Sequence, residues 1–202
     1  MPRRFRLVDY FGSQYVVMLR LHTEGYLVEN RIIVWDIDSS RRLYSRGFFG
    51  KPMGISKPRG IEFESPLILD LIESCYLMQH NQLHVRTRSH QKVSTRKIKA
   101  MCRKVYSDFD RKYLVFQDLR DKGYIVSPGI KFGCDFAVYE RGPGIDHAPY
   151  LIEVYKRKEL VTATGIVLAG RLATTVKKQF ILAIPNMNKK NVVYVGFEWW
   201  RA

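Results

Sequence analysis

Five consecutive apolar residues, Phe180-Ile-Leu-Ala-Ile184, come directly after a helical pattern over Thr162–Lys178. A run this short and wholly apolar reads as a strand covered on both faces, because a strand with one wet face would alternate. It demands a sheet with further layers packed on it, and the flanking segments can supply them. Tyr113, Leu114, Phe116 and Leu119 share one face of a helix expected over 108–122 and stopped by Gly123. Tyr124-Ile-Val126, Phe132–Tyr139 and Tyr150–Tyr155 then read as strands. Val192–Trp199 reads as a last strand, after a polar turn at Asn186–Asn191. The order helix, three strands, helix, two strands predicts an α/β domain over 105–202, with the apolar strand buried centrally.

The first half reads differently, as an α+β domain over 1–104. Residues 5–35 alternate apolar and polar in places, as short strands with turns near Gly12, Gly25 and Asn30. Asp36–Ser40 is expected to be a polar turn. Four glycines and two prolines within Gly47–Gly60 exclude regular structure there, so 47–60 reads as a loop rich in basic residues. After Ser65-Pro66, the residues Leu67, Leu69, Leu71, Ile72, Cys75, Leu77 and Met78 predict one helix ending near Asn81. The second half of 85–104 is expected to be helical, with Ser94 as its N-cap.

Charge narrows the partner. The formal net charge is +15, and the eight basic residues between Val85 and Lys104 have no acid among them. Such an imbalance fits nucleic acid or an anionic membrane surface, although a solvated basic face explains the 85–104 run equally well. The apolar runs are too short and interrupted to cross a bilayer. Three cysteines in no metal-type spacing fit a reducing compartment, so a cytoplasmic chain is expected. Lys51, Lys57 and Arg59, beside Phe48 and Phe49, are candidates for RNA phosphate and base contacts; an ordinary surface loop is the alternative.

For chemistry, the sequence has neither a GxxxxGK[ST] phosphate loop nor a GxGxxG, and no HExxH or paired Cys/His spacing. One pattern fits a metal-dependent nuclease: Asp135 with Glu153 and Lys156. A second fits metal-free RNA cleavage, which uses the 2′-hydroxyl of RNA as nucleophile. That reaction needs a base for the 2′-proton, an acid for the 5′-oxygen leaving group and a cation for the phosphorane charge. Tyr139 and His147 flank a turn containing Gly142, Pro143 and Gly144, which lets the chain fold back and bring them together. A tyrosine is a base only if cations lower its ordinary pKa of about 10, whereas imidazole, near 6.5, suits the acid. Lys177 or Lys178, closing the helix before the apolar strand, can supply the charge. Each residue alone also has a purely structural role open to it.

Tyr113–Val126, Lys131–Gly142, His147 with Tyr150-Leu-Ile, and Arg171–Lys178 ahead of the Ile-Leu-Ala-Ile strand together resemble the archaeal tRNA-intron (tRNA-splicing) endonucleases. The likeness spans essentially the whole second half, and more weakly Pro66–Val85, and the basic loop 47–60 resembles an insertion of longer archaeal members. It implies a restriction-endonuclease-like mixed sheet for 105–202, with Tyr139 as general base, His147 as general acid and Lys178, not Lys177, as transition-state stabiliser. It implies a metal- and cofactor-independent cut at a bulge-helix-bulge in precursor tRNA, giving 2′,3′-cyclic phosphate and 5′-hydroxyl ends. Arg171 matches an arginine that clamps a flipped-out base, in keeping with guanidinium stacking on unpaired RNA. The turn Asn186–Asn191 carries two lysines and no acid, where self-assembling members have acids. The resemblance therefore implies a two-plus-two heterotetramer with a separate non-catalytic subunit. A non-catalytic RNA-binding role for this chain is the remaining alternative.

Overall fold

The protein's structure, a computed structural model, describes residues 5–8, 14–17, 23–55, 58, 60–145, 147–175 and 177–196, with backbone only before residue 23 and at 169, 172 and 173. The turn expected at Gly12, the candidates Lys57 and Arg59, Val176 and the end of the last strand beyond Gly196 lie outside the described residues.

β1 (Phe5–Val8) and β2 (Gln14–Val17) form an antiparallel pair. Next come β3 (Thr23–Val28), β4 (Arg31–Val34), α1 (Ile37–Gly47), β5 (Lys51–Pro52), β6 (Leu67–Leu69), α2 (Leu71–Gln79), β7 (Leu83–Arg86), β8 (Lys92–Val93) and α3 (Thr95–Val105). Their strands make a six-stranded sheet in the order β5-β6-β4-β3-β7-β8. Gly25 lies inside β3 rather than in a turn, and an added Cβ there would come 2.5 Å from Ile32 Cγ2, so glycine lets the neighbouring strand's side chain close over it.

Three further expectations for this half need correction. Asp36–Ser40 is not a turn but the start of α1: the Asp36 carboxylate accepts from the Ser39 amide at 2.8 Å, an N-cap that starts a largely polar helix. Residues 67–79 are not one helix. Leu67 and Leu69 alternate in β6, and α2 begins only at the capping box of Asp70, whose own amide donates to Glu73 Oε2 at 3.0 Å. The inserted loop is not wholly irregular, since β5 pairs antiparallel with β6 through Lys51 and Pro52. The Ser94 cap stands as read, with its hydroxyl accepting from the Lys97 amide at 3.2 Å.

The second half follows the order read from the sequence: α4 (Phe109–Asp121), β9 (Ile125–Pro128), a 3-10 turn (Ile130–Phe132), β10 (Phe136–Tyr139), β11 (Tyr150–Val154), α5 (Ala163–Thr175), β12 (Gln179–Asn186) and β13 (Asn191–Gly196). The sheet order is β13-β12-β11-β10-β9, parallel only between β11 and β12. The apolar strand β12 is thus interior but not central; β11 is. Strand alternation splits the side chains. Phe136, Val138, Ile152 and Ala183 join a large core with Phe109, Val115 and Phe116 of α4, while Ala137, Leu151, Phe180 and Leu182 form a smaller cluster on the opposite face.

The large core runs without a break from the first sheet into the second. At the seam is Arg120 of α4, 7% exposed, with its guanidinium 4.0 Å from the centre of the Phe49 ring and Nη1 donating to Gly47 O at 2.7 Å. Burial pushes its pKa down to about 10 against the pull of Glu73. Glu73, also buried, accepts from the Gly50 amide at 3.0 Å. One buried cation and one buried carboxylate thus hold both sides of the Gly47–Gly50 corner.

Candidate active site

Strand pairing brings distant residues to one end of the second sheet. Because β11 and β12 are parallel, with Tyr150 opposite Gln179, both begin at the same end; β10, antiparallel to β11, finishes there. Tyr139 is the last residue of β10, His147 lies three residues before β11 and Lys178 lies one residue before β12. The Gln179 amide donates to Pro149 O at 2.8 Å and ties the last two starts together.

The side chains fit that convergence. Tyr139 is half-buried and packs against the small cluster that includes Ala148 and Phe180. Lys178 is half-buried too, and its Nζ donates to Ala148 O at 2.5 Å while lying 5.2 Å from the centre of the Phe132 ring. The ammonium is thus held at Ala148, the residue next to His147, and Ala148 belongs to the cluster on which Tyr139 packs. His147 itself is exposed. The turn that delivers it uses Gly142 at φ +131 and Gly144 at φ +86, backbone shapes that side-chain-bearing residues avoid, and the Ile145 amide closes it on Gly142 O at 3.1 Å. Lys177 has φ 54 and an exposed side chain, which separates it from its half-buried neighbour Lys178.

The other sequence candidates fall elsewhere. Asp135 is at the opposite end of β10 from Tyr139, about 13 Å away at the usual strand rise. Its carboxylate is committed to Lys112 Nζ at 2.6 Å and to the Val154 amide at 2.9 Å. Glu153 is close enough to matter to it: burial first, then the Asp135 charge, push the Glu153 carboxyl up to about 7. Lys156 does not join them, since its Nζ pairs with Asp108 at 3.1 Å. Among the described residues no three His, Cys, Asp or Glu side chains gather as a metal site. Arg171 is exposed on α5, the helix lying against β12, and Lys51 is exposed on β5. The polar turn at Asn186–Asn191 joins β12 to β13 and is folded on its own Asn186 side chain, which accepts from the amides of Asn188 and Lys189 at 3.2 Å; Lys189 and Lys190 are exposed.

The sequence reading missed two neighbours of this end of the sheet. Phe132 lies beneath the Lys178 ammonium, and the Phe48 ring lies on Gly142: a Cβ added to that glycine would fall 2.4 Å from Phe48 Cε2. A glycine in a turn hints at a close approach, but nothing local names the partner.

Comparison with known proteins places these features in context. Residues 109–194 match the profile of the tRNA intron endonuclease, catalytic C-terminal domain, and residues 23–99 that of the tRNA intron endonuclease, N-terminal domain. The chain is 43% identical over 169 residues to a tRNA-splicing endonuclease of Hyperthermus butylicus, covering 84% of this chain and 93% of that protein. It is 39% identical over 177 residues to a tRNA-splicing endonuclease of Saccharolobus solfataricus, covering 87% and 97% respectively. No helix among the described residues is long and apolar enough to cross a membrane.

Proposed function

The chain belongs to the tRNA intron endonuclease family, whose reaction is intron removal from precursor tRNA, and we propose that it cuts at bulge-helix-bulge motifs without a metal, through Tyr139, His147 and Lys178. Tyr139, as phenolate, takes the proton of the 2′-hydroxyl. The 2′-oxygen attacks phosphorus, and the bond to the 5′-oxygen breaks as His147, as imidazolium, protonates that oxygen. One new P–O bond replaces one old one, leaving a 2′,3′-cyclic phosphate and a 5′-hydroxyl. Lys178 meets the charge that grows on the phosphorane, where a fixed cation counts most.

The observation that carries this reading is the convergence at one sheet end, with the Lys178 ammonium held at Ala148 O beside His147. Asp135 and Lys156, bound to Lys112 and Asp108, are already occupied in ion pairs, which favours this reading over a metal-dependent site at the other end. The order β13-β12-β11-β10-β9, with α4 on one face and α5 against β12, fits a restriction-endonuclease-like sheet. We divide the chain into an N-terminal domain, 1–104, and a catalytic domain, 105–202, and expect a cytoplasmic enzyme. Arg171 is proposed to hold an unpaired bulge base, and Lys51, Lys57 and Arg59 to touch RNA phosphates.

We also propose assembly as two catalytic and two non-catalytic subunits. The β12–β13 turn presents Lys189 and Lys190 and no acid, and edge strand β13 leaves Val193 and Val195 exposed, 55% and 37%, for a neighbour to cover. Sizing of the purified chain tests this; an active homotetramer overturns it. The function is tested by incubating the chain, alone and with a co-expressed partner, with bulge-helix-bulge RNA in EDTA. Cyclic-phosphate ends, lost in His147→Ala and Lys178→Ala, are expected. A strict requirement for Mg²⁺ refutes the reading, and RNA bound but uncut in every assembly identifies a non-catalytic subunit.

A further inference from the structure

Phe48 stands where helix α1 ends, in the left-handed conformation (φ 53, ψ 35) with its amide donating to Tyr44 O at 2.6 Å. That position after a helix is ordinarily glycine's, because a side chain there is strained. Here the strain coincides with a contact. The half-buried Phe48 ring lies flush on Gly142, so close that an added Cβ would sit 2.4, 2.6 and 2.9 Å from three of its carbons. Gly142 is buried and begins the turn between Tyr139 and His147.

The ring's base is fixed from several sides. Gly47 O accepts from the buried Arg120, the Gly50 amide donates to the buried Glu73, and Tyr44 meets the Phe48 ring edge-on at 5.1 Å. A second contact of the same loop reaches the same turn, with Pro58 O 3.5 Å from where a Gly144 Cβ would be. The N-terminal domain thus holds an anchored aromatic against the turn, with two glycines at positive φ, that leads from Tyr139 to His147.

We infer that Phe48 is a positioning residue: by clamping Gly142 it fixes the turn that carries His147 toward Tyr139 and Lys178. It touches no substrate in this role, and the inference rests on the catalytic reading above. The chemistry explains why such a clamp is needed. A general acid misplaced by about an ångström loses much of its rate, and glycines give a turn more conformational freedom than other residues do.

The test uses the full chain in its active assembly. Phe48→Ala, Phe48→Leu and Phe48→Tyr are compared with wild type by RNA affinity, by single-turnover cleavage of bound RNA and by amide exchange. Phe48→Ala should cut bound RNA about 10- to 100-fold more slowly, with affinity within about twofold. Phe48→Leu, which keeps most of the core volume, should fall between, and Phe48→Tyr should restore most of the rate. Exchange should quicken at 142–148 selectively. The inference is overturned if Phe48→Ala, or Phe48→Leu should the alanine variant not fold, cuts bound RNA at the wild-type rate. It is equally overturned if exchange rises evenly over the whole N-terminal domain, which would make Phe48 core packing only. Failure of the catalytic reading is separable: there wild type itself would make no cyclic-phosphate ends, while the exchange result would still report the clamp.

Discussion

Replacing Arg120 with Met tests how the two halves are held together. The substitution keeps an unbranched apolar stem between Phe49 and Phe116 but removes the guanidinium. Lost with it is a charged hydrogen bond to Gly47 O at 2.7 Å, ordinarily about 1.5–3 kcal/mol. The cation–aromatic contact at 4.0 Å to Phe49 goes too, about 2 kcal/mol where water is excluded. Against this, Arg120 Nε is buried with no hydrogen-bond partner among the described residues, and releasing it returns about 1–3 kcal/mol. The balance is a loss of about 2 kcal/mol, or about 4–8 °C in Tm for a chain of this size. Glu73 sets the pH dependence. Burial already raises its pKa, opposed by Arg120. A carboxyl raised on folding contributes stability that is full below its unfolded pKa and lost as pH rises through the folded one. Without Arg120 the folded pKa climbs further, so the variant's deficit should be larger at pH 8 than at pH 5, and Glu73→Gln in the same chain should narrow it. Thermal unfolding at the two pH values measures this. A Tm loss under about 2 °C, or a deficit that grows toward acid, would refute the seam described here.

Glu153→Gln should stabilise the protein at pH 8 by about 1 kcal/mol, after discounting for its partial exposure, and leave it unchanged at pH 4. The sign follows from a carboxyl raised to about 7 in the fold, which loses stability as pH climbs through that value; urea unfolding across pH reads it, and no gain at pH 8 counts against the burial described. Gly25→Ala places a carbon 2.5 Å from Ile32 Cγ2 and 3.2 Å from Leu83 Cδ1, so overpacking should cost about 1–3 kcal/mol. An unchanged denaturation midpoint would mean that β3 and β4 part more readily than their packing implies.

Some of this architecture was legible because its signals are local. The element order after residue 105 follows from clear changes between helical and strand spacing, and Ser94 caps a helix as its side chain and position require. α1 escaped notice because Leu43 and Tyr44 are the only large apolar side chains among its buried residues; the others are Ser39, Ser40 and Gly47. The Leu67-x-Leu69-x-Leu71 alternation ran into α2 without a breaker, so Asp70 was the true boundary and Ser65-Pro66 a false one. The candidate site shows the same limit. Tyr139 and His147 flank one turn and can be paired by eye, whereas Lys178 reaches them only through the parallel register of β11 and β12, which the strand sequences do not state on their own. Phe48 on Gly142 and Arg120 on Gly47 join residues far apart in the chain, and chain-distant contacts of this kind leave no periodic trace.

In the proposed reaction the Tyr139 oxygen takes the first proton. Tyr139→Phe deletes that atom and leaves the ring packed against the Ala148 cluster. Measured in EDTA on bulge-helix-bulge RNA already bound, the single-turnover rate should fall at least about 100-fold, the usual worth of a positioned base, with affinity within about twofold. Cleavage by Tyr139→Phe at the wild-type rate would contradict the account.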